Sequence, residues 1–324
     1  MRALPSPEAS EKAIRAWWKA ILGALVGVAG LAVLVRVSHG PSALAAADLR
    51  PLPLVVAALC SALVPTATAA AWRRGLSALG EPLTRRRAWS CYGLGSLANS
   101  CLPAKLGEPV RIEAFARCVD HPRRRWLVGG ISAAIAFCQS TVFAVVVTLG
   151  AISGALHYWA LLPALGVPAL LLTAGTTAVR RRLRGRLESL VVATTFSLST
   201  WARLLAWISA SSLARFLLAV AVLDAFSAPH PLTGATVAIA SHALGSAVPF
   251  APGGAGVPAL TMAVGLTQAG LDPATSAGVA LLIHTFETAA CVIFGLSGWL
   301  VLRVAPDAAH ARVVARPATA SIGS

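Results

Sequence analysis

The sequence predicts an all-α, polytopic membrane fold, and three observations carry that prediction. First, 57% of the 324 residues are hydrophobic and only 12% are charged, against roughly 25% charged in a soluble domain, and the mean hydropathy is +0.75. Second, the basic residues fall in short runs between apolar stretches long enough to cross a bilayer, as the positive-inside rule places them. Third, two apolar stretches are broken by proline, glycine and polar residues at corresponding places. Together these predict about six spanning helices plus two re-entrant half-helix pairs, near 88–118 and 233–270, in an inverted-topology repeat. The net charge of +15 points to anionic lipid headgroups as partners, and no nucleic acid is expected. No long polar stretch remains for a soluble catalytic domain.

In chain order, residues 1–19 are polar and basic (Lys12, Arg15, Lys19) and form a cytoplasmic N-terminal segment. Residues 20–37 are the first apolar run, long enough at about 1.5 Å per residue to cross most of a ~30 Å core. Ala43-Leu44-Ala45 has the spacing of a signal-peptidase site. The length of the run favours a retained helix, and the topology is the same if it is cleaved. Arg50, Pro51 and Pro53 mark the outer turn, and residues 52–72 cross back, with a kink expected at Pro65. Arg73, Arg74, Arg85, Arg86 and Arg87 are cytoplasmic, and Arg117, Arg123, Arg124 and Arg125 return the chain to that side. Basic clusters on both flanks mean that 88–118 enters and leaves by one face.

Residues 126–152 cross outward and residues 158–178 cross inward, ending at Arg180, Arg181, Arg182, Arg184 and Arg186. Residues 187–198 are read as interfacial. Residues 199–223 then cross outward to a loop with Asp224 and His230 but no lysine or arginine. The segment 233–270 must return to that outer side, so that 272–303 can cross inward to Arg303, Arg312 and Arg316. Of 27 basic residues only Arg36 and Arg50 fall outside. Residues 20–303 therefore form a single transmembrane domain in the cell (plasma) membrane. Residues 304–324 are a cytoplasmic tail, so both termini are cytoplasmic.

The first broken stretch runs from Asn99 through Pro103, Lys105, Gly107, Glu108 and Pro109 to Arg111, and the second holds Pro249, Pro252, Gly253, Gly254, Gly256 and Pro258. Both read Pro-x-x-x-Gly at the centre. Bare backbone and charge at membrane depth survive only inside protein or beside a water-filled cavity. A half-helix starting there presents unpaired N–H groups and attracts anions. Gly107 and the glycines 253, 254 and 256 would open such half-helices, Lys105 and Arg111 add positive charge, and Asn99 would bridge the break. Glu108 either binds the cationic part of a zwitterionic headgroup or forms a fixed pair with Arg111 that only satisfies the loop.

Residues 199–223 carry Arg203, Trp207, Ser211 and Arg215 on one face. Arg203 reaches the cytoplasmic surface, whereas Arg215 lies deep. In the last span His284 and Glu287 are one turn apart and also deep. Arg215 and Glu287 either pair or act separately, as parts of a pathway or of a structural clamp between helices. His284 and Glu287 on one helical face could ligate a metal, but further ligands are not evident, and no metal or other cofactor is expected. The sequence holds no H-E-x-x-H, and none of its three lysines (Lys12, Lys19, Lys105) completes a P-loop, so an enzyme is not expected. The six cysteines show no C-x-x-C spacing and read as buried thiols.

Leu102-Pro-Ala-Lys-Leu-Gly-Glu-Pro-Val-Arg111 resembles the L-P-x-[RK]-x-G-E-x-x-R signature of the lysylphosphatidylglycerol synthase transmembrane region family, also called flippase-like membrane proteins. Val248-Pro-Phe-Ala-Pro-Gly-Gly-Ala-Gly256 resembles its second signature, P-x-x-P-G-G-x-G. The resemblance covers about residues 18 to 303. It implies a module that, fused to an aminoacyl-phospholipid synthase, moves the lipid product between leaflets. Two positions depart from the family's pattern. Ala259 stands where the second signature usually continues to a glutamate, and His284 where the last span often carries an arginine. The synthase domain is not in this sequence, so aminoacyl transfer is not expected of it. The expected function is translocation of a phospholipid or polyprenyl-linked headgroup between leaflets. The alternatives are transport of a polar solute or ion, and a scaffold for a separately encoded lipid-modifying enzyme.

Overall fold

A computed structural model describes residues 49–101, 107–162, 164–166, 169, 173, 196–246 and 256–304. Among them the chain is helical, without strands. The elements are α1 (Pro51–Ala78), α2 (Arg85–Cys101), α3 (Gly107–Ala116), α4 (Arg124–Ile152), a 3-10 turn (Tyr158–Ala160), α5 (Leu198–Ala225), α6 (Pro231–Ser246), α7 (Gly256–Gln268) and α8 (Pro273–Val304). Four of these, α1, α4, α5 and α8, are long and apolar enough to cross a membrane. They correspond to the expected spans 52–72, 126–152, 199–223 and 272–303. The expected span 20–37, most of 158–178 and nearly all of the segment 187–198 lie outside the described residues.

The long helices carry leucine, isoleucine and valine on outward faces: Leu52 is 73% exposed, Leu59 69%, Ile152 74% and Ile293 68%. Helices apolar all round belong in a bilayer, and the chain is an integral membrane protein. α1 runs unbroken through Pro65. The Ser211 hydroxyl of α5 donates to the Val64 carbonyl (3.1 Å), which also accepts from Thr68. Thr68 and Ser211 meet at 3.0 Å, joining the middles of α1 and α5.

The short helices form two antiparallel hairpins. In the first, Asn99 of α2 meets Gly107 of α3, and Gly95 meets Arg111. Farther down, Cys91 meets Ala114 and Cys118. In the second, Gly245 of α6 meets Pro258 and Thr261 of α7, and Val237 meets Gly265. Glycine at the crossings lets backbones touch. A Cβ on Gly107 would lie 2.2 Å from the Gly95 carbonyl oxygen, and one on Gly245 would lie 2.8 Å from the Cα of Pro258. Both second arms begin Gly-x-Pro (Gly107-Glu108-Pro109, Gly256-Val257-Pro258), with proline in a first turn that needs no N–H from it.

The open ends of the hairpins lie at opposite ends of the bundle. α2 starts and α3 ends among Arg85, Arg86, Arg117 and Arg125. There Glu113 pairs with Arg125 (2.9 Å) and Arg117 (3.4 Å), and the Arg125 guanidinium leads in holding the Glu113 carboxyl below its ordinary range. α8 ends there too, with Trp89 Nε1 donating to Ser297 Oγ (3.1 Å) and the Trp89 ring stacked on Phe294. α6 starts and α7 ends at the other extremity, where the Arg50 N–H donates to the Ala225 carbonyl (3.3 Å) and Arg50 faces Asp224 at 3.5 Å. At that end Asp272 caps α8 by accepting from the N–H groups of Ala274 and Thr275, both at 3.0 Å. The Thr275 hydroxyl and these N–H groups hold its carboxyl below the usual range.

Each hairpin has its own apolar cluster. One joins Trp72, Leu76, Phe115, Ile131, Leu204 and Ile208 at the basic end. The other joins Leu218, Leu223, Met262, Leu266 and Ile283 at the far end. On α5 the first ends at Ile208 and the second starts at Leu218. Ser211 and Arg215 lie between them, so a polar layer crosses the middle of the bundle.

Candidate functional site

One part of the layer is built around Glu287, far from either end of its helix. Glu287 is 14 residues into α8, about 21 Å from its start at 1.5 Å per residue. Its Oε1 lies 2.7 Å from Arg215 Nε, and its Oε2 lies 3.9 Å from His242 Nε2 of α6. The Glu287 side chain is 14% exposed, whereas 43% of the Arg215 side chain is open. Arg215 is thus anchored at Nε, with the rest of its side chain partly uncovered. His284, one turn before Glu287, meets Thr288 through Nε2 at 3.2 Å. Its Nδ1 is buried and has no hydrogen-bond partner among the described residues. A space for about one water adjoins the cluster, lined by Arg215, His242, Glu287 and apolar neighbours that include Met262 and Ile283.

The first hairpin delivers a second arginine–glutamate pair. Glu108 lies in the first turn of α3, where the helix dipole favours an acid. It is paired with Arg111 and accepts from the Ser132 hydroxyl of α4. Asn99 Oδ1 accepts from the Gly107 N–H at 2.8 Å, tying the end of α2 to the start of α3. The Arg111 side chain is 11% exposed, lies 4.4 Å from the Tyr92 ring centroid, and has its buried Nε without a hydrogen-bond partner among the described residues. Burying a guanidinium this far requires both the carboxylate and the ring face.

The two pairs are neighbours. Tyr92 is within electrostatic reach of Arg215, and it also lies under Arg111. Cys291 is within reach of Glu287, Arg215 and Arg111. The geometry therefore brings Asn99, Gly107, Glu108, Arg111, Arg215, His284 and Glu287 into one layer, with Gly256 buried at the start of α7. Pro103, Lys105, Pro252, Gly253 and Gly254 lie outside the described residues. Four contributors were not singled out from the sequence: Tyr92, Ser132, His242 and Cys291. His242 carried a usable signal, as an ionisable side chain in the apolar stretch Pro231–Ser246. Tyr92, Ser132 and Cys291 had none, because their role comes from packing between distant helices.

Chemically, the layer offers two guanidinium groups, two carboxylates and two imidazoles within an apolar bundle. It suits reversible binding of a charged group. Among the described residues no group of three His, Cys, Asp or Glu side chains is placed to hold a metal ion.

The sequence matches the family described as "Lysylphosphatidylglycerol synthase TM region" over residues 20–295. No curated protein matches it. The matched stretch contains both hairpins, all four long helices except the end of α8, and every charged residue of the polar layer, so the chain belongs to the lysylphosphatidylglycerol synthase TM region family.

Proposed function

We propose that this protein is a lipid translocator, carrying the headgroup of a phospholipid or polyprenyl-linked lipid between leaflets. The observation that supports this most is the polar layer, in which the Arg111–Glu108 and Arg215–Glu287 pairs both come within reach of Tyr92, between two apolar clusters. A headgroup at membrane depth needs such a layer, because charge there is costly unless paired. In this reading the hairpins are re-entrant, the two halves form an inverted-topology repeat, and the tips meet near the midplane. The basic end is cytoplasmic in the cell membrane. Arginines take the phosphate and glutamates release them to do so. The chain performs no covalent step itself, and a lipid-modifying enzyme would supply or consume the lipid on one side.

The test is leaflet exchange of labelled anionic, zwitterionic and aminoacylated phospholipids in vesicles holding the purified protein. Glu108→Ala and Arg111→Ala are each expected to slow exchange by about tenfold or more, as loss of one charge-assisted contact of ~1.4 kcal/mol would. Gly254→Leu is expected to do the same by covering backbone at the second broken stretch. Membrane insertion of all three should be unchanged. No exchange of any lipid with correctly inserted wild-type protein would refute translocation and leave a polar solute or a scaffold.

A further inference from the structure

The translocator reading leaves open what drives the lipid, and the two histidines of the polar layer bear on that. Glu287 is held between a permanent cation and a titratable one. Arg215 Nε lies 2.7 Å from one oxygen and His242 Nε2 lies 3.9 Å from the other. His284 sits one turn away on the same helix with Nδ1 buried and unpartnered among the described residues. Room for about one water adjoins Arg215, His242 and Glu287, enough for a proton to pass between them.

Resting on that reading, we propose that Glu287, His242 and His284 form a proton-binding site whose occupation releases Arg215 to hold an anionic headgroup. Proton and headgroup then bind together. With neutral imidazoles, Glu287 and Arg215 neutralise each other and the guanidinium is committed. A proton taken from water onto His242 makes a second cation beside the carboxylate. It draws Glu287 Oε2 toward the imidazolium and loosens the hold of Oε1 on Arg215. The partly uncovered Arg215 side chain can then turn to a phosphate without leaving an unpaired carboxylate behind. By linkage, whatever the proton does to headgroup affinity the headgroup does to proton affinity.

The charged and titratable groups around Glu287 are consistent with this exchange. Arg215 comes from α5 and His242 from α6. Tyr92 of α2 acts on Arg215, and Arg111 of α3 acts on Cys291. His284 and Cys291 lie on α8 itself, and Cys60 of α1 packs in the neighbouring apolar cluster. α7, Gly256–Gln268, carries no titratable side chain. Glu287 is therefore the one carboxylate facing both histidines among the described residues.

The experiment has two arms. In vesicles of phosphatidylcholine with a small fraction of labelled phosphatidylglycerol and a trapped pH dye, exchange is followed at equal pH and across a gradient between about pH 8 and pH 6, spanning the imidazole range. The gradient is expected to accelerate exchange about tenfold, within the usual range of coupling between sites, and the dye should report proton movement with the lipid. His242→Gln and Glu287→Gln should lose the acceleration. Exchange that ignores the gradient, with no dye response, would overturn the coupling while leaving translocation standing.

The second arm does not depend on exchange. The titration of histidine-labelled protein in detergent is followed by nuclear magnetic resonance. One imidazole is expected to titrate with a midpoint that falls by about one pH unit in Glu287→Gln, since a carboxylate favours the imidazolium beside it. Midpoints unchanged in that variant would overturn the proton site even where no lipid moves.

Discussion

Arg215→Leu is expected to lower the stability of the folded protein by about 3 kcal/mol, since breaking a buried pair leaves an uncompensated charge. The residue left behind decides the size. Glu287, 14% exposed and deep in α8, has room beside it for only about one water, whereas the Arg215 side chain is 43% open. Glu287→Leu should therefore cost less than Arg215→Leu. The double variant Arg215→Leu/Glu287→Leu should regain most of the loss, because an apolar pair of similar volume tolerates the same space. All three should lose leaflet exchange, which separates the role of the pair in function from its role in stability. Thermal or denaturant unfolding in detergent micelles measures the order. Equal losses in the two single variants would show that the carboxylate is better solvated than its exposure implies.

Gly107→Ala is expected to have the largest effect of any methyl group added at the described glycines. Its Cβ would sit 2.2 Å from both Asn99 Oδ1 and the Gly95 carbonyl oxygen. The amide of Asn99 can swing away at the cost of its hydrogen bond, about 1 kcal/mol. The carbonyl of Gly95 cannot move without separating α2 from α3. Overpacking of this kind costs roughly 1–3 kcal/mol or more, and here it would also shift Glu108 and Arg111, which follow directly in the first turns of α3. Exchange should vanish. Asn99→Ala/Gly107→Ala should rescue neither stability nor exchange, because the backbone clash remains. Gly166→Ala, where a Cβ would meet nothing within 4 Å among the described residues, serves as the control and should melt no lower than wild type.

Membrane character and the long helices were legible in the sequence because bilayer thickness sets a length that apolar runs must meet. Three of the four described spans fall within two residues of the expected boundaries, and α1 runs six residues past the expected end at 72. The second arms of the hairpins were legible from Gly107 and Gly256, each of which starts a helix, and at Gly107 the close approach of α2 explains the residue. Arg215 and Glu287 were legible as ionisable groups in apolar helices, but their pairing was one of two open outcomes. It is decided by how α5 and α8 pack, which no local pattern encodes. The same holds for Glu108. Its bond to Arg111 is local, three residues along one helix, whereas its second bond to Ser132 depends on α4. At Pro65, where a kink was expected, α1 runs on as one helix, and Ser211 of α5 is hydrogen-bonded at the adjacent carbonyl, a partner that the local sequence does not name. Tyr92 and Cys291 join the layer through the close approach of α2 to α8, where Gly93 and Gly295 touch backbone to backbone. Small residues so placed are common in membrane helices and name no partner by themselves.

Under the proposed function, the two hairpins enter the membrane from opposite faces and meet in one polar layer. Single cysteines at Asp120, beyond the open end of the first hairpin, and at Ala269, beyond the end of α7, test this most directly. Both positions are exposed. The probe is a membrane-impermeant maleimide applied to sealed vesicles of known orientation, with the wild-type protein as the control for native thiols. Asp120→Cys is expected to react only from the cytoplasmic side and Ala269→Cys only from the outer side. Labelling of both from the same side would contradict it.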